Sequence, residues 1–260
     1  MDKRKDRNFD DVAEHFDKKV YGSLKGQIRL AVLRKDLHEI VAKLSEQHKR
    51  PLRILDVGAG LAQLSLELAT LGHEVVINDI SKNMLDKAKQ SIEDINKLNV
   101  HWHTCPYQAL DNKLQGKFDL ILNHAVLEWL AEPQAFIKFA DRWLADGGYL
   151  SLCFYNPASF IYRNLMMGNF NIIDKANTQA DNKKSLTPNH PVDKDQVAAW
   201  LKKNHTIIQV SGLRVFSDYT LSKQGGLANP AAVIDMEVKY SHQEPFKWMG
   251  RYLHYLSIKN

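Results

Sequence analysis

The sequence predicts an α/β protein built on a doubly wound, mostly parallel sheet. Three observations carry that expectation. Between Leu52 and Tyr155, five short β-rich runs alternate with helical stretches at the spacing of right-handed βαβ units. Two of the runs contain the continuous apolar segments ILDV and LIL, as strands covered on both faces require. After Tyr155 that rhythm breaks, and the chain closes with a strand, a helix and a strand.

The first 50 residues read as helices. Phe9, Val12, Ala13 and Phe16 repeat at helix spacing, and Asp10 with Asp11 enriches the first turn in acid. Leu33, Leu37, Ile40, Val41 and Leu44 mark one apolar face over QIRLAVLRKDLHEIVAKL. The strands LRILDVG, HEVVIND, NVHWHTC, FDLILNHA and GYLSLCFY follow. Between them lie the helices LAQLSLELATLG, KNMLDKAKQSIEDINKL and PQAFIKFADRWLADGG. Residues 156–192, rich in Asn, Lys and Pro, carry no α/β repeat and read as an insertion facing the substrate. DKDQVAAWLKKN is then a helix, HTIIQVSGLRVF a strand, AAVIDMEVKYSHQ a helix and RYLHYLSIKN the last strand. The expected organisation is one domain over 1–260: helices in 1–50, a core in 51–155, the insertion, and a closing unit in 193–260.

Composition sets further bounds. A chain of 260 residues has room for one α/β domain with additions. No apolar run approaches the roughly 18 residues of a membrane span, and MDKRKDRNFDD lacks the apolar core of a secretory signal. The two cysteines, Cys105 and Cys153, lack metal-ligand spacing and read as free thiols of a cytoplasmic protein without a metal site. The net charge of +5 suits a polyanionic partner without requiring one.

The stretch RILDVGAGLAQ joins the first core strand to a helix, where nucleotides bind at the carboxyl end of a parallel sheet. Gly58 and Gly60 permit close approach, but Gln63 stands where a dinucleotide fingerprint needs a third small residue. Asp56, just before the glycines, can orient the loop and meet a positive ligand. Asp79, ending the next strand, can accept both hydroxyls of a ribose. An acid at Asp79 suits NAD as well, so it supports a nucleoside more than it chooses the cofactor; with Asp56 and Gln63 the turn favours S-adenosylmethionine over NAD, and a packing turn with two surface acids is the remaining reading. FDLILNHAVLEWL resembles the fourth-strand segment of S-adenosylmethionine-dependent methyltransferases, whose seven-stranded sheet ends in a reversed strand. Asn123-His124-Ala125-Val126 stands where amino methyltransferases carry N/D-P-P-Y/F, so an exocyclic amine is a poor acceptor.

The resemblance extends beyond the fold. DRNFDDVAEHF, YGSLKGQIR, NHAVLEW, FYN…NLMMGNF, SLTPNHP, GLRVFSDY and QEPF…GRYLH occur in this order from Asp6 onward. Together they resemble the bacterial tRNA 5-carboxymethoxyuridine methyltransferases, which convert the carboxylate of a modified wobble uridine into its methyl ester. The resemblance implies contacts to the methyl donor from Arg29, Gly58, Ala59, Asp79, Tyr107, Gln108 and His124. Two departures stand out: Ala59 replaces a glycine of the family's turn, and the lysine-rich stretch before SLTP shrinks to Asn182-Lys183-Lys184.

A carboxylate acceptor is ionised at neutral pH and needs no general base, and the motifs supply none. Orientation is the main catalytic device left, worth roughly 7–11 kcal/mol at most. An arginine can grip such a carboxylate through two hydrogen bonds, with Arg214 the first choice and Arg251 the second. Tyr155 and Asn156 lie at the strand end where an acceptor pocket opens; a strand-end cap is the other reading of both. Lys183, Lys184, Arg163, Lys202 and Lys203 are candidates for tRNA phosphates, and Tyr162, Phe170 and Trp129 for stacking on a base. A methyltransferase of small-molecule carboxylates or hydroxyls, a nucleotide-dependent oxidoreductase and a non-catalytic RNA-binding protein remain as alternatives.

Overall fold

The computed structural model describes residues 6–10, 22–175, 188, 191–220 and 224–260. Asp11, Val12, Ala13, Phe16, Asn182, Lys183 and Lys184, each given a role above, lie outside the described residues.

Helix α1, Leu24–His48, turns Val32, Leu33, Leu37, Val41 and Leu44 inward, close to the face its apolar spacing predicts. The sheet then forms as expected, with β1 at Arg53–Val57, β2 at Glu74–Asp79, β3 at Val100–Thr104 and β4 at Phe118–His124. Helices α2, Gln63–Thr70, and α3, Lys82–Gln90, connect the first three strands. Helix α3 is shorter than the predicted stretch KNMLDKAKQSIEDINKL, because Ser91 turns both its N–H and its hydroxyl onto the carbonyl of Ala88.

After α4, Pro133–Trp143, strand β5 runs from Leu144 to Tyr155 and begins earlier than the sequence suggests. Leu144 is wholly buried and pairs with Phe118, so the start of β5 joins the sheet instead of prolonging the helix. The insertion opens with two helices, α5 at Pro157–Met166 and α6 at Phe170–Lys175. The closing unit is α7, Lys194–Leu201, β6, His205–Leu213, α8, Pro230–Tyr240, and β7, Tyr252–Lys259.

The seven strands among the described residues form one sheet in the order β3-β2-β1-β4-β5-β7-β6. Strand β7 is reversed, pairing antiparallel with both β5 and β6. Apolar side chains pack on both faces. One cluster joins α1, α2 and α3 through Leu33, Leu37, Leu68 and Leu85, and the other joins α4 and α7 through Phe136, Phe139 and Val197. The strand order reverses between β1 and β4, and a crevice at such a point is where open α/β sheets take ligands. Both cysteines are free thiols. Among the described residues no helix is long and apolar enough to cross a membrane, and no group of metal-ligating side chains assembles.

Candidate active site

A cavity of about 700 Å³ opens at the carboxyl ends of the strands. Gly58 and Gly60 line it after β1, Asp79 at the end of β2, Tyr107 after β3, His124 at the end of β4 and Tyr155 at the end of β5. Arg29 of α1 closes one side, and Arg163, Arg214, Arg251 and Tyr252 the other.

On the β1–β2 side the backbone is tightly specified. Gly58 adopts φ +72°, and a Cβ there would stand 2.4 Å from Cγ2 of Val126. The N–H groups of Gly58 and Ala59 both donate to the carbonyl of Asn78, at 2.9 and 3.0 Å. The Asp79 carboxylate accepts the Gly60 N–H at 2.8 Å and the Ser81 N–H at 2.7 Å, one on each oxygen. A carboxylate oxygen has a second acceptor direction, so Asp79 retains capacity for two hydroxyl donors. Burial raises its pKa, while the N–H groups of Ser81 and Gly60 oppose the rise.

Asp56 and Ala59 do not line this cavity. They border a much smaller void beside it, of about 30 Å³, shared with Arg29 and His124. The Asp56 carboxylate accepts the Ser65 hydroxyl at the base of α2, and burial pushes its pKa up to about 7. Its place is therefore that of a loop anchor, the first of the two roles its sequence position suggests. Tyr107 packs edge-on against Phe136 and Phe139, and burial raises its phenol to about 12. The neighbouring Gln108 is not on the wall; its amide donates to Asp6 at 2.9 Å and holds the N-terminal segment that closes over the cavity.

His124 lines both voids. Its carbonyl accepts Nη2 of Arg29 at 3.1 Å, and its Nε2 meets the Ser151 hydroxyl at 2.8 Å. Burial, reinforced by the charges of His254 and Arg29, holds the ring well below the usual imidazole range.

The opposite wall is cationic and aromatic. The Arg251 guanidinium lies 5.0 Å over the Tyr155 ring and that of Arg214 5.5 Å over Tyr252, while the two tyrosines pack edge-on at 5.8 Å. Arg214, at φ +60°, pairs with Asp218 at 3.4 Å. Arg251 Nη1 and the Tyr155 hydroxyl are buried without hydrogen-bond partners among the described residues. Asn156 is a cap, the alternative that its sequence position allows. It accepts the Ala158 N–H at the start of α5 and donates to the carbonyls of Trp248 and Gly250, at 3.0 and 2.9 Å. It thus fixes the loop that presents Arg251 without lining the cavity itself.

Four contributors escape the sequence reading. Lys25 and Tyr252 line the wall, Asp218 pairs with Arg214, and Glu237 accepts the N–H groups of Val215, Phe216 and Ser217. Glu237 follows Val233 by four residues on the buried face of α8, and an acid on such a face is the pattern that marks it. Of the phosphate candidates, Arg163 lines the cavity, whereas Lys202 and Lys203 follow α7 at the start of β6, the end of the sheet away from it. Trp129 is on the wall, half-buried against Phe9. Tyr162 packs on Tyr219, and Phe170 is 61% exposed.

The strand order and the cavity at its reversal define a methyltransferase fold, and residues 55–152 match the family described as a methyltransferase domain. Magnesium protoporphyrin IX methyltransferase from Synechocystis PCC 6803, solved with bound S-adenosylhomocysteine, superposes with a TM-score of 0.62 at 17% identity, covering 97% of this chain and 96% of that one. A plantazolicin methyltransferase gives a TM-score of 0.58 at 16% identity, covering 96% and 90% of the two chains. The tRNA 5-carboxymethoxyuridine methyltransferase of Escherichia coli K12 is 38% identical over 256 residues, 98% of this chain and 97% of that protein. The chain belongs to the family of tRNA 5-carboxymethoxyuridine methyltransferases.

Proposed function

We propose that this protein transfers a methyl group from S-adenosylmethionine to the carboxylate of 5-carboxymethoxyuridine at the wobble position of tRNA, giving the methyl ester. The observation that carries the reading is full-length identity of 38% to a relative of that name, spanning both walls of the cavity. In this reading the whole chain works as one methyltransferase unit in the cytoplasm, and residues 156–192 face the tRNA.

The residues present fit the donor. Asp79 has acceptor capacity for two ribose hydroxyls, the Gly58–Gly60 turn lets backbone approach closely, Tyr107 supplies a flat apolar wall, and Arg29 a cation for a carboxylate end. When bound, S-adenosylmethionine supplies a methyl group on a positive sulfonium, open to displacement from the side opposite sulfur. Asp56 and Gln108 act one layer back, holding the turn and the N-terminal segment.

The acceptor wall completes the site. A carboxylate with pKa near 4 arrives ionised, so the chain has no proton to remove. Arg251 grips it first, because its Nη1 has no hydrogen-bond partner among the described residues, and Arg214, already shared with Asp218, flanks it. This reverses the order that the sequence suggests. The Tyr155 hydroxyl donates to the same group, and Asn156 keeps Arg251 in place. Holding one carboxylate oxygen between these donors leaves the other in line with the methyl group, a positional advantage. Arg163 at the rim meets phosphate.

The test is in vitro transfer of a radiolabelled methyl group from S-adenosylmethionine to tRNA carrying 5-carboxymethoxyuridine. Label that enters this tRNA and leaves as methanol under mild alkali marks a methyl ester. Alkali-stable label, or none, overturns the assignment.

A further inference from the structure

Arg214 stands in a strained conformation. Its φ of +60° lies in the left-handed region, where a residue with a Cβ stays only if its surroundings hold it. It follows directly on Leu213, the wholly buried last residue of β6. The N–H groups of the next three residues then converge on one carboxylate. Glu237 accepts Val215 at 2.6 Å on one oxygen, and Ser217 at 2.8 Å and Phe216 at 3.3 Å on the other. Successive N–H groups that point one way make a backbone cradle for an anion. Here the anion is a side chain of the protein itself.

Glu237 has no exposed surface and reaches the cradle from α8, about one helical turn after the buried Val233. It does not line the cavity. Arg214 does, and so do the two groups that meet its guanidinium, the Tyr252 ring at 5.5 Å and the Asp218 carboxylate at 3.4 Å. Asp218 follows Ser217, so the cradle places the ion-pair partner of Arg214 along with its backbone. At an ordinary negative φ the side chain of residue 214 would leave the strand end in another direction, and its guanidinium with it. Without Glu237, three N–H groups would lose their acceptor and nothing printed by the local chain would replace it in holding the turn.

We propose that Glu237 is a positioning residue for the acceptor: it holds the turn at residues 215–217 and so keeps Arg214 in its left-handed conformation, with the guanidinium on the cavity wall beside the carboxylate that receives the methyl group. The proposal rests on the functional reading above and extends it outward, to a side chain that meets neither donor nor acceptor. The groups assigned to the donor follow β1 and β2 or lie on α1, across the cavity from this turn, so Glu237 acts on the acceptor alone.

A double-mutant cycle tests it, with kcat and KM measured for tRNA carrying 5-carboxymethoxyuridine. Glu237→Gln keeps the shape of the side chain but turns one acceptor oxygen into a donor facing the cradle. It should lower kcat roughly tenfold and leave KM for the tRNA within about twofold, since phosphate contacts dominate nucleic-acid affinity. Calorimetry should find the affinity for S-adenosylhomocysteine unchanged. In an Arg214→Met background, which retains Arg251, the same change should lower kcat by less than about twofold, because the side chain it positions is gone. A merely structural role would not depend on residue 214 in this way. A loss of about tenfold in both backgrounds, a fall in S-adenosylhomocysteine affinity, or an unchanged kcat in Glu237→Gln overturns the proposal. Should Glu237→Gln not fold, Glu237→Asp, whose carboxylate is one methylene shorter, takes its place with the same expectations. If the unaltered protein transfers no methyl group to this tRNA, the functional reading falls and the proposal with it.

Discussion

Glu128 lies beneath the cavity wall with no exposed surface, beside Tyr155 and Tyr252, and burial pushes its carboxyl from the ordinary 4.5 up to about 7. The Arg29 charge opposes that rise without cancelling it. The folded protein therefore holds this proton more tightly than the unfolded chain. Its contribution to stability is complete below the unfolded value and is lost as pH rises through about 7. The full difference between the two values corresponds to about 3 kcal/mol. Glu128→Gln keeps the shape and removes the ionisation. The variant should lie within about 1 kcal/mol of the parent near pH 5 and exceed it by about 3 kcal/mol near pH 8.5. Asp56, also raised to about 7, is present in both proteins, so its titration cancels in the comparison. Urea unfolding at the two pH values reads the difference, given equal slopes. A stability difference that does not change with pH would refute the reasoning.

Three further substitutions probe the two walls. Asp79→Ala removes both ribose acceptors and strands the N–H groups of Gly60 and Ser81, so calorimetry should find donor affinity down by more than about a hundredfold; retained affinity would show the ribose site misplaced. Gly58→Ala must hold φ near +72° and displace Val126, and should lower Tm by about 3–6 °C, whereas an unchanged Tm would contradict the packing of that turn. Arg251→Met should leave donor binding intact while kcat/KM for tRNA falls roughly a hundredfold, and an unaltered kcat/KM would remove Arg251 from the acceptor grip.

The fold was legible because its pattern is local. Apolar runs such as LIL and the alternation of strand and helix follow from burial on both faces, and Asp79 announces itself by ending a strand. Boundaries were less legible: Leu144 reads as the last turn of a helix, and only its pairing with Phe118 draws it into β5. The residues proposed to meet the donor sit at the ends of consecutive strands, a placement the sequence pattern shows. Those proposed to meet the acceptor depend on partners distant in sequence. The sequence leaves Asn156 between an acceptor pocket and a strand-end cap, and does not show that its amide donates to the carbonyls of residues 248 and 250. The ion pair of Arg214 with Asp218 is likewise not visible in the sequence. Lys202 and Lys203 show the same limit, since charge is visible in a sequence and the end of the sheet that bears it is not.

Mass spectrometry of nucleosides from the tRNA of a strain lacking this protein tests whether the acceptor is the carboxylate of a wobble nucleoside. The methyl ester of 5-carboxymethoxyuridine should disappear while the free acid accumulates in its place. An unchanged level of the ester would rule that acceptor out.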